Sequence, residues 1–162
     1  MRDRCYDILV VEDDEDDQMF MNEAFTELHC QDRVTMYGSS FSFLQDIHAL
    51  KSLSPLPLLI VLDYNLPGAD GMVLLHVIKD DEVLCKVPVV VYSTCMKPHQ
   101  RQECLQAGAD AYFEKKQTYQ EVVDFAKQLC EYAFGKASAA WALSAELTEN
   151  EITIIKGKFN PS

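Results

Sequence analysis

The chain has 162 residues, enough for one domain of ordinary size, and 48% of them are hydrophobic, which is enough to build a core. Its net charge of -12 argues against binding to nucleic acid or to an anionic membrane surface, because both carry dense negative charge. The apolar run near the amino terminus is too short for a secretory signal, and no stretch approaches the roughly 20 apolar residues of a membrane span. We therefore expect a cytoplasmic protein.

Short runs rich in Ile, Leu and Val alternate with longer amphipathic stretches, a pattern typical of repeated β-α-β units around a parallel sheet. In chain order, the pattern predicts strands near residues 6–11, 33–37, 57–62, 88–92 and 110–113 and helices near residues 17–29, 40–50, 70–80, 98–107 and 118–134. This strict alternation predicts an α/β fold with a doubly wound five-stranded parallel sheet in the flavodoxin-like order 2-1-3-4-5.

The last 28 residues, 135–162, fall outside these five units and form a C-terminal extension. The extension contains the only tryptophan, Trp141, and a short β-prone run that includes Ile152, Ile154 and Ile155. It is too short and too poor in basic residues for a DNA-binding output domain. We predict one domain over residues 1–134 and no output domain. We expect the extension to mediate self-association, and the alternative is that it packs on its own domain or frays.

The six cysteines are scattered without a Cys-x-x-Cys pair, which is poor spacing for a metal site or a redox motif. We interpret them as buried thiols; they are Cys5, Cys30, Cys85, Cys95, Cys104 and Cys130.

Four of the predicted strands lead into polar residues. The first is followed by Glu12 and Asp13, the third by Asp63 and the fourth by Ser93, while the fifth leads toward Lys115. In an open parallel sheet, the loops at the carboxyl ends of the strands converge on one crevice. We therefore expect carboxylates, a hydroxyl and an ammonium group to meet there.

The carboxylates predict a magnesium site, since Mg²⁺ is held by one or two carboxylates, with waters and phosphate oxygens completing its shell. Asp13 and Asp63 can ligate the ion directly, Glu12 can reach it through water, and Asn65 can offer its backbone carbonyl. We interpret residues 14–17 as a solvated acidic run at a helix amino terminus, where negative charge is favourable by about 0.3–1 kcal/mol per group.

Asp63 lies where a buried apolar strand breaks into a turn, and a lone aspartate there could simply cap that turn. A carboxylate can also form an aspartyl phosphate if a cation neutralises the incoming phosphoryl group. In that case Ser93 would donate to a phosphate oxygen, and Lys115 would balance the phosphate charge.

Four motifs over residues 5–134, VVEDDEDD, VLDYNLPGADG, PVVVYST and AGADAYFEKK, resemble those of the receiver domains of two-component response regulators. The resemblance implies that Glu12 and Asp13 form the acidic metal pair and that Asp63 is the phosphoacceptor. In the same way, Ser93 would be the switch hydroxyl, Tyr112 the aromatic switch residue and Lys115 the lysine that contacts the phosphate. It also implies that Asn65 and Cys95 tune dephosphorylation. In detail the chain is similar to small stand-alone regulators paired with bacterial phytochromes. It departs from the family at Lys116, where proline is usual and often follows a cis bond. A cis bond before a non-proline residue costs about 3 kcal/mol, so we expect a trans bond here and a different course for the loop that carries Lys115.

The resemblance implies a phosphorylation switch that receives its phosphoryl group from a sensor histidine kinase or a phosphotransfer protein and signals by protein contact. A homodimer could form through the extension or through the face of helix 4, strand 5 and helix 5. The alternatives are a phosphorylation-independent adaptor and a magnesium-dependent aspartyl-phosphate phosphatase, although the latter needs a general acid where this chain has Asn65. A flavin module is disfavoured because the EDDEDD loop repels phosphate. We expect no enzymatic activity beyond the chain's own phosphorylation and dephosphorylation.

Overall fold

Five parallel strands alternate with five α-helices in the part of the chain that the computed structural model describes, residues 6–115 and 117–134. The strands are β1 (Ile8–Val11), β2 (Val34–Tyr37), β3 (Leu59–Asp63), β4 (Val89–Ser93) and β5 (Ala111–Glu114). The helices are α1 (Glu15–Glu27), α2 (Ser40–Lys51), α3 (Gly71–Lys79), α4 (Pro98–Gln106) and α5 (Tyr119–Ala133). Two short 3₁₀ turns, Gln31–Arg33 and Leu84–Lys86, were not predicted from the sequence.

The strands form one parallel sheet in the order β2-β1-β3-β4-β5, which confirms the predicted topology. In its register, Val11 pairs with Leu62, and Asp63 pairs with Tyr92. The carboxyl ends of β1, β3 and β4 therefore lie side by side, and residues that follow these strands can share one site.

The core lies on both faces of the sheet, because alternate residues of each strand point to opposite sides. Leu9 and Val11 of β1 belong to the layer formed with α2, α3 and α4, whereas Ile8 and Val10 belong to the layer formed with α1 and α5. All four side chains are fully buried. This two-sided burial explains why the strands read as continuous apolar runs in the sequence.

The helices begin directly after the loops that follow the strands, and side-chain caps fix the first residues of four of them, α1, α2, α3 and α5. Asp14 accepts a hydrogen bond from the backbone N–H of Asp17 at 2.9 Å, and Asp70 accepts one from Val73 at 3.0 Å. These caps satisfy backbone donors that a helix leaves unpaired in its first turn. The short β1–α1 loop therefore holds Glu12 and Asp13 in place.

Gly71, the first residue of α3, packs against the backbone at the end of β3. A Cβ atom at this position would lie 2.5 Å from the carbonyl oxygen of Asp63 and 2.7 Å from the Cα of Tyr64. Only glycine fits this approach without movement of the backbone, so α3 supports Asp63 by direct contact.

The interpretation of the cysteines as buried thiols is wrong for Cys85 and Cys95, which are exposed. Both lie in segments that connect main helices and strands, so their side chains do not face the core. Cys104 and Cys130 are buried as expected, and Cys30 is partly buried.

Some predictions fall on residues outside the described ranges. These residues are Cys5, Lys116 and the extension 135–162, which includes Trp141. The domain boundary at residue 134 likewise stays a prediction. Within residues 6–115 and 117–134, none of the helices combines the length and the apolar character needed to cross a bilayer.

Candidate functional site

Three carboxylates converge at the carboxyl ends of β1 and β3. Glu12, Asp13 and Asp63 each place an oxygen within 4.8 Å of the others. Glu12 is fully buried, Asp63 is 2% exposed and Asp13 is partly exposed. A cation beside the cluster would favour the ionised form of all three carboxyl groups, since burial removes the screening of their charges by water.

The donor set fits magnesium, which prefers hard oxygen ligands and takes one or two of them from carboxylates. The loop after β3 holds the central carboxylate, because the backbone N–H of Asn65 donates to Oδ1 of Asp63 at 2.9 Å. The predicted role of the Asn65 carbonyl as a metal ligand stays a prediction.

Lys115, which follows β5, brings its ammonium group into the acidic cluster. Its Nζ lies 3.0 Å from Oδ2 of Asp63 and 3.1 Å from Oε1 of Glu12. Burial disfavours the charge on Lys115, but its carboxylate partners outweigh this effect and raise the pKa of the ammonium above its usual value. Lys115 therefore stays charged and partly neutralises the cluster.

Asp17 also contacts Lys115, and the interpretation of residues 14–17 as a solvated run is wrong for this residue. Its Oδ2 lies 2.8 Å from Nζ of Lys115. Asp14, Glu15 and Asp16 are exposed, as interpreted. The signal in the sequence was weak, because four consecutive acidic residues do not show which one the helix turns toward the sheet.

Tyr92 of β4 donates its hydroxyl hydrogen to Oε2 of Glu12 at 2.5 Å, a contact that sequence reasoning missed. Burial raises the pKa of Glu12 to about 8, although the hydrogen bond from Tyr92 opposes this shift. Burial also raises the pKa of Tyr92 itself, so its hydroxyl remains a donor. The available signal was a lone hydroxyl within the apolar run that precedes Ser93.

Ser93 is fully buried at the end of β4, where its hydroxyl joins the loop after β3 to the loop after β4. It accepts a hydrogen bond from Nδ2 of Asn65 at 2.9 Å and donates to the backbone carbonyl of Cys95 at 3.2 Å. The predicted residues Asn65, Ser93 and Cys95 thus form one connected group beside Asp63. The side chain of Cys95 is exposed to solvent.

Tyr112 lies on β5, in the core layer that α4 covers, and only 3% of its surface is exposed. The guanidinium group of Arg101 on α4 lies 4.7 Å from the ring centre, and the Tyr112 hydroxyl reaches Oε1 of Glu114 at 3.4 Å. Arg101 also forms an ion pair with Glu114 at 3.3 Å. The ring is therefore already buried and linked to α4 in this structure.

Residues 8–127 match the response regulator receiver domain family. Because this match covers most of the chain, the protein belongs to the response regulator receiver domain family.

Among curated proteins, the two-component response regulator ARR17 of Arabidopsis thaliana is 39% identical over 57 residues, which are 35% of this chain and 37% of ARR17. A gliding motility regulatory protein of Myxococcus xanthus is 34% identical over 65 residues, which are 40% of this chain and 8% of that protein. The chain thus spans less than two fifths of the length of these relatives.

Among solved structures, the phosphorylated cyanobacterial phytochrome response regulator RcpA superimposes with a TM-score of 0.71 at 25% identity, over 83% of this chain and 97% of that chain. The Mn²⁺-bound response regulator Rcp1 superimposes with a TM-score of 0.67 at 22% identity, over 81% of this chain and 96% of that chain. The likeness to Rcp1 supports the fold alone.

Proposed function

We propose that this protein is a response regulator that accepts a phosphoryl group onto Asp63, in a magnesium-dependent reaction, from a sensor histidine kinase or a phosphotransfer protein. The observation that carries the proposal is the position of the buried Asp63 carboxylate. It contacts the Lys115 ammonium, which also contacts Glu12, and it lies close to the partly exposed Asp13. A second support is the likeness to RcpA, which was crystallised in its phosphorylated form. The cytoplasmic location stays a prediction.

The proposed reaction uses Asp63 as the nucleophile. One of its carboxylate oxygens forms a bond to phosphorus while the bond from phosphorus to the donor's histidine nitrogen breaks. Magnesium held by Glu12, Asp13 and Asp63 would supply positive charge to the phosphoryl oxygens. Lys115, already 3.0 Å from Asp63, adds the charge of its ammonium to the same side of the site.

Phosphorylation would also change the contacts of Ser93. The new phosphate oxygens accept hydrogen bonds more strongly than a neutral carbonyl, so they would draw the Ser93 hydroxyl hydrogen away from the backbone carbonyl of Cys95. We propose that this rearrangement is transmitted through Tyr112 and its contact with Arg101 to the face formed by α4, β5 and α5. This face, or the extension beyond residue 134, is also the proposed surface for a homodimer.

The alternatives predict different chemistry. An adaptor that works without phosphorylation needs no reactive carboxylate, and a phosphatase needs a general acid two residues after its nucleophile. That position holds Asn65, whose amide donates a hydrogen bond to Ser93 but is far too weak an acid to protonate a leaving group. We therefore propose a signalling protein that catalyses only its own phosphorylation and dephosphorylation.

Intact-mass measurement after incubation with acetyl phosphate and Mg²⁺ tests the proposal. Wild-type protein should gain one phosphoryl group, Asp63→Asn should gain none, and EDTA should prevent labelling of the wild type. Asp14→Asn is the matched control, because Asp14 is an exposed acidic neighbour of the site and asparagine caps a helix equally well. Asp13→Asn should raise the Mg²⁺ concentration required. Full labelling of Asp63→Asn would refute the assignment, and an unlabelled wild type would favour the adaptor.

A further inference from the structure

Tyr92 occupies a fixed position beside the proposed site, although the proposed reaction assigns it no role. It pairs in register with Asp63, and only 3% of its surface is exposed. Its ring packs 5.8 Å from the ring of Phe125 on α5, and its hydroxyl lies 3.5 Å from the sulfur of Met21 on α1. Packing from two helices therefore holds the ring in one orientation.

From β4, the Tyr92 side chain reaches across β3 to the end of β1. Adjacent strands are about 4.8 Å apart, so β1 and β4 are separated by roughly twice that distance. A tyrosine is long enough to cover most of this gap on the face of the sheet, and its hydroxyl meets Oε2 of Glu12 at 2.5 Å. A serine or threonine at this position would be too short for this contact.

The hydrogen bond divides the two oxygens of Glu12 between different partners. Oε2 is held by Tyr92, while Oε1 lies 3.1 Å from Nζ of Lys115 and accepts from the backbone N–H of Asp14 at 3.2 Å. The Lys115 ammonium also lies 5.1 Å from the centre of the Tyr92 ring, within the range of a cation-π contact. Tyr92 thus contacts both the carboxylate and the ammonium of the site.

We propose that Tyr92 is a positioning residue for the divalent cation site: it fixes the Glu12 carboxylate so that Oε1 faces the acidic cluster, and thereby raises the affinity of the site for Mg²⁺. This inference rests on the proposed function, because it assumes that the cation binds at the cluster of Glu12, Asp13 and Asp63. Partners that orient a metal ligand without touching the metal commonly change metal affinity by about 10–100-fold when they are removed.

Mg²⁺ titration of the full chain by calorimetry tests the inference with Tyr92→Phe, which removes only the hydroxyl. We expect this variant to bind Mg²⁺ about 10-fold more weakly than the wild type. Tyr37→Phe is the matched control, because Tyr37 is also a buried strand tyrosine whose hydroxyl donates to a carboxylate, Asp46, at 2.6 Å. The control should bind Mg²⁺ as the wild type does.

A double-mutant cycle with Glu12→Gln separates positioning from general loss of structure. If Tyr92 acts through Glu12, Tyr92→Phe should have little further effect on Mg²⁺ affinity in the Glu12→Gln background. Labelling of Tyr92→Phe by acetyl phosphate should also return toward the wild-type rate at saturating Mg²⁺. Both results support positioning, since a general packing defect would persist in either test.

Three further outcomes would overturn the inference. Unchanged Mg²⁺ affinity in Tyr92→Phe, or an equal loss of affinity in both backgrounds, would overturn the role of Tyr92 and leave the proposed function standing. A wild-type protein that binds no Mg²⁺ would overturn the magnesium dependence of the proposed function, and the inference with it.

Discussion

Replacing Gly71 with alanine should damage both the stability of the fold and the reactivity of Asp63. The added Cβ would lie 2.5 Å from the carbonyl oxygen of Asp63 and 2.7 Å from the Cα of Tyr64. Both neighbours are backbone atoms, so they cannot rotate out of the way as a flexible side chain would. Either the first turn of α3 or the end of β3 must move.

The size of the movement follows from ordinary contact distances. A comfortable contact begins at 3.4 Å, so the two atoms must separate by 3.4 − 2.5 = 0.9 Å. Backbone shifts of this kind typically cost about 1–3 kcal/mol. Alanine recovers at most about 1 kcal/mol through its higher helix propensity. Even with the full recovery, the net loss reaches about 2 kcal/mol, which would lower the melting temperature by a few degrees.

Urea denaturation and the rate of labelling by acetyl phosphate measure the two effects. A misplacement near 1 Å can slow a reaction by about 100-fold, so the labelling rate of Gly71→Ala should fall by roughly 10–100-fold at saturating Mg²⁺. Gly38→Ala is the control, because its Cβ would meet only the side chain of Gln18 at an ordinary 3.4 Å. The reasoning fails if Gly71→Ala matches the wild type in both stability and labelling rate.

Two other predictions concern the exposed loop after β4 and the connection after α3. Cys95 is exposed and lies two residues beyond Ser93. Cys95→Gln adds an amide that can orient water, so this substitution should change the half-life of the phosphoprotein without blocking its labelling. Equal half-lives of variant and wild type, measured by intact mass, would contradict this prediction. The ion pair with Lys51 and backbone hydrogen bonds lower the pKa of Asp81 from 3.8 to about 2. Because the pKa of Asp81 is lower in the folded state, the ionised Asp81 side chain stabilises the fold above pH 3.8, and this stabilisation is lost as the pH falls toward 2. The melting temperature of Asp81→Asn should thus lie below that of the wild type near neutral pH, and the difference should shrink in acid.

The sequence predicted the fold well because the strands are buried on both faces and the helices cover them in strict alternation. Continuous apolar runs marked all five strands to within one or two residues at each end. The ends of helices were predicted less accurately, because a capping residue decides where a helix begins. Helix α1 begins at Glu15, two residues earlier than expected, because Asp14 caps it. The two 3₁₀ turns are too short to leave a periodic pattern.

The site was predictable wherever a polar residue follows a strand, since the topology alone brings such residues together. Glu12, Asp63 and Lys115 are in contact for this reason. Asp17 and Tyr92 could not be found in the same way, because their contacts depend on the rotation of α1 and on the reach of one side chain across β3. Both contacts join residues about 80 or more positions apart in the chain.

The position of Lys115 also determines which cations can compete for the acidic cluster. Its ammonium, in contact with Glu12, Asp17 and Asp63, acts as a counter-ion that is tethered to the chain. A dissolved monovalent cation would bring no more charge than the lysine already supplies, and it would lose hydration on entry. A divalent cation brings twice that charge. In a protein with a net charge of -12, Lys115 therefore partly neutralises this cluster from within, and a divalent cation would compete with it more effectively than a monovalent one would.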